Sequence, residues 1–232
     1  MLTVTREADG ERVLTARFGE ARIDNELIGA LESVLDSVER GGIENLVLLF
    51  SGGPESVTGD FPSLPPGPGR PDMRYFARWD ELLSRISRLK AKTFAGYHGR
   101  VGAAAVQAGL VADLRLASAQ ARLAMGSLAE GRFPGMGAYW LPKFVGLGTA
   151  RRIFLIGEDL TAEDAIRLGL VDAVGDAVEA VVENSIKALR SVTPESARLT
   201  RRILDDCYLL EHAAAVDLAK AARYKVGMPD KE

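Results

Sequence analysis

The chain has 232 residues, roughly one and a half times an ordinary domain, which favours one core with a C-terminal extension over two cores. Its 29 basic and 32 acidic residues leave a net charge of −3, against the clustered cations that a nucleic-acid groove needs. One cysteine, Cys207, and two histidines, His98 and His212, argue against a disulfide framework, a CxxC site and a zinc centre.

Residues 2–6 and 12–18 alternate apolar and polar around Asp9-Gly10 and read as an antiparallel hairpin. Asp24 or Asn25 then caps a helix with apolar residues at Leu27, Leu31, Val34, Leu35 and Val38, ended by Gly41-Gly42. The run NLVLLF at 45–50 reads as a strand buried on both faces, as in a parallel sheet. Strand, helix and buried strand in that order predict a crossover unit. Segment 51–72 holds five Gly and six Pro and reads as a long surface loop.

A helix is predicted over 73–89, with Phe76, Trp79, Leu82, Leu83 and Ile86 on one side. Strands follow at 93–98, 112–118 and 122–125, and the small-residue stretch Arg100–Leu110 reads as a tightly packed helix start. From 136 onward the pattern is helical, at 136–145, 149–156, 161–168, 176–190 and 194–225. The order implies an α/β core over 1–175 and a helical C-terminal region over 176–232. The longest apolar run, around Val101–Val111, is too short to span a bilayer. The opening MLTVTREADGER lacks the apolar stretch of a signal peptide. A soluble, cytoplasmic protein with no membrane or nucleic-acid partner and no metal is the expectation.

Phosphate-loop, zincin and nucleophile-elbow patterns are absent. Gly146-Leu-Gly148-Thr-Ala-Arg151 imitates a dinucleotide fingerprint but lacks the third glycine and a preceding strand, so it reads as a helix junction. Two strand-to-helix turns of small residues remain. One is Ser56-Val57-Thr58-Gly59-Asp60, after strand 45–50; the other is Gly99–Gln107, after strand 93–98. Parallel neighbours end on one sheet edge, where ligands bind. Two backbone N–H groups there could meet one carbonyl oxygen and stabilise an oxyanion, or the turns could simply require small residues.

The segment from AGYHGRVGAAAVQAGLVAD to AIRLGLVD resembles the signature half of the crotonase (enoyl-CoA hydratase/isomerase) family. The matching positions are Gly99, Asp113, Ala121, Gly131, Pro134, Gly135, Gly137, Gly157, Ala162, Ala165 and Gly169-Leu170-Val171-Asp172. VTGDF resembles the family's AGxDL turn. The resemblance implies a crotonase-like spiral of ββα units and a helical C-terminal region that forms a homotrimer or hexamer. It also implies a thioester carbonyl held by the amides of Gly59 and Ala104, with Val57, Arg100, Pro134, Gly135 and Tyr139 lining the substrate site. No separate cofactor is implied, since CoA or phosphopantetheine would arrive as part of the substrate.

The departures shape the expected chemistry. The family's two acid/base glutamates fall on Gln107 and Ser127, neither of which exchanges protons near neutral pH. Glu130 is the nearest carboxylate, with a solvated surface charge as its alternative. Arg100 is read either as a partner for a substrate anion or as a surface ion pair. His98 is read as a structural hydrogen-bonding residue. The family's NRPxxxNA-like loop is missing, because RFGEARID runs straight into the helix. That leaves room for an acyl-carrier-protein thioester as well as acyl-CoA.

The pattern resembles the secondary-metabolism members most, the polyketide β-branching decarboxylases and the accessory crotonase of dihydroxyphenylglycine biosynthesis. The expectation is a lyase that dehydrates or decarboxylates a polyketide-type acyl thioester through a stabilised enolate. The alternative is a non-catalytic or accessory homologue that binds a polyketide synthase or carrier protein.

Overall fold

Strands β1 (Leu2–Glu7) and β2 (Val13–Phe18) pair antiparallel, as the alternation predicts. The computed structural model describes residues 2–7, 12–20, 22–53, 57–60, 74–126, 135–157 and 159–207, with single helical positions at 214, 217, 220 and 221. Helix α1 (Asn25–Arg40) starts where the Asp24 carboxylate accepts the Leu27 N–H at 2.8 Å, which satisfies one of the orphan donors of the first turn. Its stripe of Leu27, Leu31, Val34, Leu35 and Val38 is buried.

Strand β3 (Asn45–Ser51) returns parallel to β2 and completes the crossover. Helix α2 (Arg74–Arg88) and strand β4 (Lys92–His98) follow, with β4 parallel to β3 in a register that sets Ser51 beside His98. The two chains therefore leave the sheet at the same edge. Most of the Gly/Pro-rich segment expected as a loop lies outside the described residues; 57–60 belong to the site below.

The helix expected from Arg100 begins three residues later. Arg100–Val101 form a short strand β5, Gly102 is extended, and helix α3 runs over Ala103–Leu110. The reason is a parallel bridge between Thr58 and Val101, which holds 100–101 extended before the chain can coil. Strand β6 (Leu114–Ser118) lies parallel to β4, and β7 (Arg122–Leu123) pairs with β5.

Helices α4 (Gly137–Val145) and α5 (Leu147–Ile156) meet at Gly146, with φ +77°. The fingerprint-like GLGTAR string is thus a helix junction, as read. Strand β8 (Leu160–Thr161), helix α6 (Ala162–Arg167) and strand β9 (Ala173–Gly175) come next, then α7 (Val178–Ala188) and α8 (Pro194–Cys207). β8 and β9 are too short to show a two-residue period, so the sequence pattern did not reveal them. The last predicted helix extends past α8 into residues mostly outside those described.

The main sheet runs β1-β2-β3-β4-β6-β9, parallel except for the first pair; β5-β7-β8 form a second, smaller sheet. Leu46, Leu48 and Phe50 of β3 join the core beneath α1, α2 and α3, whereas Val47 and Leu49 pack with Val178, Val182 and Ile186 of α7. Alternate side chains of one strand thus enter two cores. The helical region expected from 176 onward includes α7, which covers one face of the sheet. α8 is fastened by Arg201, whose guanidinium donates to both Asp113 carboxylate oxygens and to the carbonyls of Ser87, Leu89 and Ala91.

Candidate functional site

The ends of β3 and β4 carry the two turns singled out by the sequence, and a backbone lattice joins them. The Thr58 hydroxyl donates to the Ser51 carbonyl at 3.0 Å. The Thr58 N–H donates to the Arg100 carbonyl at 3.1 Å, and the Gly102 N–H donates back to the Thr58 carbonyl at 2.8 Å. One residue on, the Ala105 N–H donates to the Gly59 carbonyl at 2.8 Å. On the other side, the Ile23 N–H donates to the Asp60 carbonyl at 2.9 Å. Residues 58–60 are therefore clamped between the entry to α1 and the start of α3.

Glycine is required at two positions of this lattice. Gly59 has φ +69°, and a Cβ there would lie 2.7 Å from the Ala105 Cβ. A Cβ on Gly102 would lie 2.5 Å from that of Asp60. Both distances are well inside van der Waals contact, so the turns approach this closely only without side chains.

Among the described residues, the N–H groups of Gly59 and Ala104 donate to no other backbone group. Ala104 lies in the first turn of α3, where N–H groups have no partner within the helix and the helix dipole is positive. The alanines that replace a glycine triplet keep this donor, because no described residue other than glycine has a positive φ. The two neighbouring turns thus each carry a main-chain N–H that no backbone group among the described residues accepts.

Gln107 follows one turn after Ala104 and is 1% exposed. The Trp79 indole N–H of α2 donates to its Oε1 at 3.3 Å. On the other side lie Gly135 and Gly137; a Cβ on Gly137 would be 3.5 Å from the Gln107 Nε2. No carboxylate stands at this position, so the site has no proton-exchanging group there near neutral pH. Sequence reasoning placed Trp79 in the core and missed its polar contact. The available signal was general: a buried indole N–H needs an acceptor.

The other predicted site residues are distributed unevenly. Val57 is half-buried beside the turn. Arg100 forks onto Asp159 through Nε at 2.6 Å and Nη2 at 3.3 Å. Of its two readings, the ion pair is the one formed; Asp159, far along the chain, meets the carboxylate-matching edge of the guanidinium. Tyr139 is partly exposed, with the Lys143 ammonium 4.1 Å from its ring centre and Trp140 edge-on at 4.9 Å. Ser127, Glu130 and Pro134 lie outside the described residues.

His98 behaves as read, with Nδ1 2.9 Å from the Ser118 hydroxyl. Tyr97 is fully buried under α3, its hydroxyl donating to the Ala105 carbonyl at 3.4 Å. Burial pushes its pKa upward, away from acid work near neutrality. No grouping of His, Cys, Asp and Glu suited to a metal occurs among the described residues, and no described helix is long and apolar enough to cross a membrane.

Residues 24–224 match the family model described as Enoyl-CoA hydratase/isomerase. The chain belongs to this family, within the crotonase superfamily of acyl-CoA-processing enzymes. An Amycolatopsis orientalis protein named as an enoyl-CoA hydratase is 28% identical over 149 residues, which are 63% of this chain and 69% of that one. The crystal structure of an enoyl-CoA hydratase/isomerase from Cupriavidus metallidurans CH34 superimposes with a TM-score of 0.83 at 27% identity, covering 98% of this chain and 88% of that one. An enoyl-CoA hydratase structure from Thermoplasma volcanium GSS1 reaches a TM-score of 0.85 over 97% and 91% of the two chains. At 21% identity that likeness concerns the fold, which is the crotonase-like α/β architecture.

Proposed function

We propose that this family member is an acyl-thioester lyase that dehydrates or decarboxylates a polyketide-type intermediate bound to CoA or to an acyl carrier protein. The amides of Gly59 and Ala104 hold the thioester oxygen and stabilise the negative charge that develops on it. In the decarboxylating case one bond breaks, from the carboxylate to the α-carbon of a malonyl group or to the γ-carbon of a glutaconyl group. Its electron pair moves into the enolate or dienolate, carbon dioxide leaves, and a solvent proton later reaches the α- or γ-carbon. Such a step needs no base to begin it, whereas dehydration needs a base for the α-proton and an acid for the leaving hydroxyl, which Gln107 and Ser127 do not supply. Decarboxylation is therefore the branch this site favours.

The carrying observation is the combination of two main-chain donors with a glutamine at position 107. Oxyanion donors are typically worth a factor of about 10²–10³ each, so they supply much of the catalysis without a titrating partner. The reading groups the protein with the secondary-metabolism branch of the superfamily, working as a homotrimer or a dimer of trimers. A purified sample given malonyl-, glutaconyl- and 3-hydroxyacyl-thioesters tests it by mass spectrometry. Loss of the mass of carbon dioxide or of water is expected from at least one of these thioesters; no loss from any of them would contradict the reading. A second reading, an accessory homologue that binds a synthase or carrier protein, draws on the same absence of a carboxylate at 107; it predicts binding without turnover.

A further inference from the structure

Helix α3 is eight residues long and begins without a side-chain cap, because Gly102 precedes it. So short a helix does not hold its shape alone in water, and tertiary contacts decide where its first-turn N–H groups point. Two such contacts meet at Ala105. Its N–H donates to the Gly59 carbonyl at 2.8 Å, and its carbonyl accepts the Tyr97 hydroxyl at 3.4 Å. The hydroxyl reaches that carbonyl through a notch in the helix: a Cβ on Gly109 would stand 1.7 Å from the Tyr97 Oη and 2.9 Å from Cζ. Phe50 steadies the ring, stacked with centres 6.2 Å apart, and a Cβ on Gly59 would lie 3.2 Å from Phe50 Cδ1. Phe50, Tyr97, Ala105 and Gly59 therefore close a loop of contacts that joins β3, β4, α3 and the 57–60 turn.

We infer that Tyr97 is a positioning residue for the oxyanion donor: its hydroxyl, seated in the gap that Gly109 leaves, holds the first turn of α3 in the orientation that offers the Ala104 N–H to a thioester oxygen. The inference rests on the thioester reading above and adds to it the residue that sets the donor. Tyr97 is 1% exposed and touches neither substrate nor reacting atoms. Burial keeps its phenol protonated near neutrality, so it donates throughout. A carbonyl has two lone pairs, so the hydroxyl adds to the helix's own bonding without displacing it. Oxyanion donors are effective because they are already aimed and need no reordering during the reaction. Without the hydroxyl, one of the two tertiary bonds on Ala105 is gone, and the amide must be re-aimed in each turnover.

The test is infrared difference spectroscopy with butyryl-CoA carrying carbon-13 at the thioester carbonyl, a saturated probe that is not turned over. In the wild type the labelled band should move to lower wavenumber on binding, because two main-chain donors polarise the carbonyl. Tyr97→Phe removes one oxygen atom; it should still bind the probe, yet lose about half of that movement. Gly109→Ala keeps the hydroxyl but pushes it off the Ala105 carbonyl, and it should reproduce the loss. A variant that is merely less stable would bind less probe without altering the band of the probe it holds. For the thioester that is turned over, kcat should fall about tenfold in each variant while KM stays within about twofold. Near-ultraviolet circular dichroism verifies the fold, and either variant serves where the other does not fold. A full wild-type band movement in a folded variant overturns the inference and leaves the thioester reading intact. A wild type that leaves butyryl-CoA unbound, or binds it without moving the band, overturns both.

Discussion

The Ala105 N–H donates to the Gly59 carbonyl at 2.8 Å, and the α-carbon of that same glycine leaves no room for a Cβ above Ala105. One contact thus fixes both the spacing of the two turns and the residue type at position 59. Gly59→Ala is expected to destabilise the fold by about 1–3 kcal/mol, the usual cost of a side chain in the left-handed region. The overlap with Ala105 adds to this. Urea unfolding measures the change; a variant as stable as the wild type would mean that the turns are not locked as described.

Arg201 fastens α8 to the sheet. It is 9% exposed, and its partner Asp113 also accepts the Thr93 N–H at 2.8 Å. Arg201→Met strips a partly buried carboxylate of its cation and leaves three carbonyls without this donor, at an expected cost of about 2–3 kcal/mol, between the values for exposed and fully buried pairs. The neighbouring Arg202, 62% exposed and paired with Asp206 at 3.4 Å, provides the control. Arg202→Met should cost less than about 1 kcal/mol. Comparable losses from the two variants would contradict the assignment.

The helix pair α1–α2 carries a pH-dependent link. Arg85 donates to Asp36 at 2.8 Å, and this hydrogen bond holds the Asp36 carboxyl below its ordinary value. Because the folded-state value is the lower one, the contribution to stability is present above the unfolded carboxylate range and is lost as pH falls through the folded value. A carbon-detected NMR titration should place the Asp36 midpoint below that of an unperturbed aspartate. In Arg85→Gln the midpoint should move upward; a midpoint that does not respond would remove the link.

Water addition to crotonyl-CoA should be negligible, because hydration needs one group to take a proton from water and another to deliver one to the α-carbon. A glutamine and a serine do neither at pH 7. Gln107→Glu with Ser127→Glu should raise hydratase activity if the site otherwise keeps family geometry. The carboxylate at 107 would accept the Trp79 N–H already in place. Hydration by the wild type at about 10 s⁻¹ or more would contradict this account, and Glu130→Gln would then show whether Glu130 supplies the base.

Local patterns made most of the fold legible. The spacing of Leu27, Leu31, Val34, Leu35 and Val38 specifies a helix, and NLVLLF could be buried on both faces only inside a layered sheet. β5, β7, β8 and β9 escaped or blurred because two or three residues cannot display a period. The two turns of the site were legible from their small residues and positions after strands. The contacts that give the site its character were not. Trp79 lies 28 positions from Gln107, and Arg100 lies 59 from Asp159. Tertiary packing alone brings those side chains together, and nothing local in either segment signals its partner.

In the proposed mechanism, main-chain donors on two turns, one of them the Ala104 amide, hold the thioester oxygen during turnover. Ala104→Pro tests it most directly, since proline removes that N–H and is tolerated in the first turn of a helix. Decarboxylation or dehydration of the thioester panel is followed by mass spectrometry for wild type and variant, with circular dichroism confirming the fold. The rate is expected to fall by about 10²–10³, whereas Ala104→Gly, which keeps the N–H, stays near wild type. Unchanged turnover by folded Ala104→Pro would place the chemistry elsewhere.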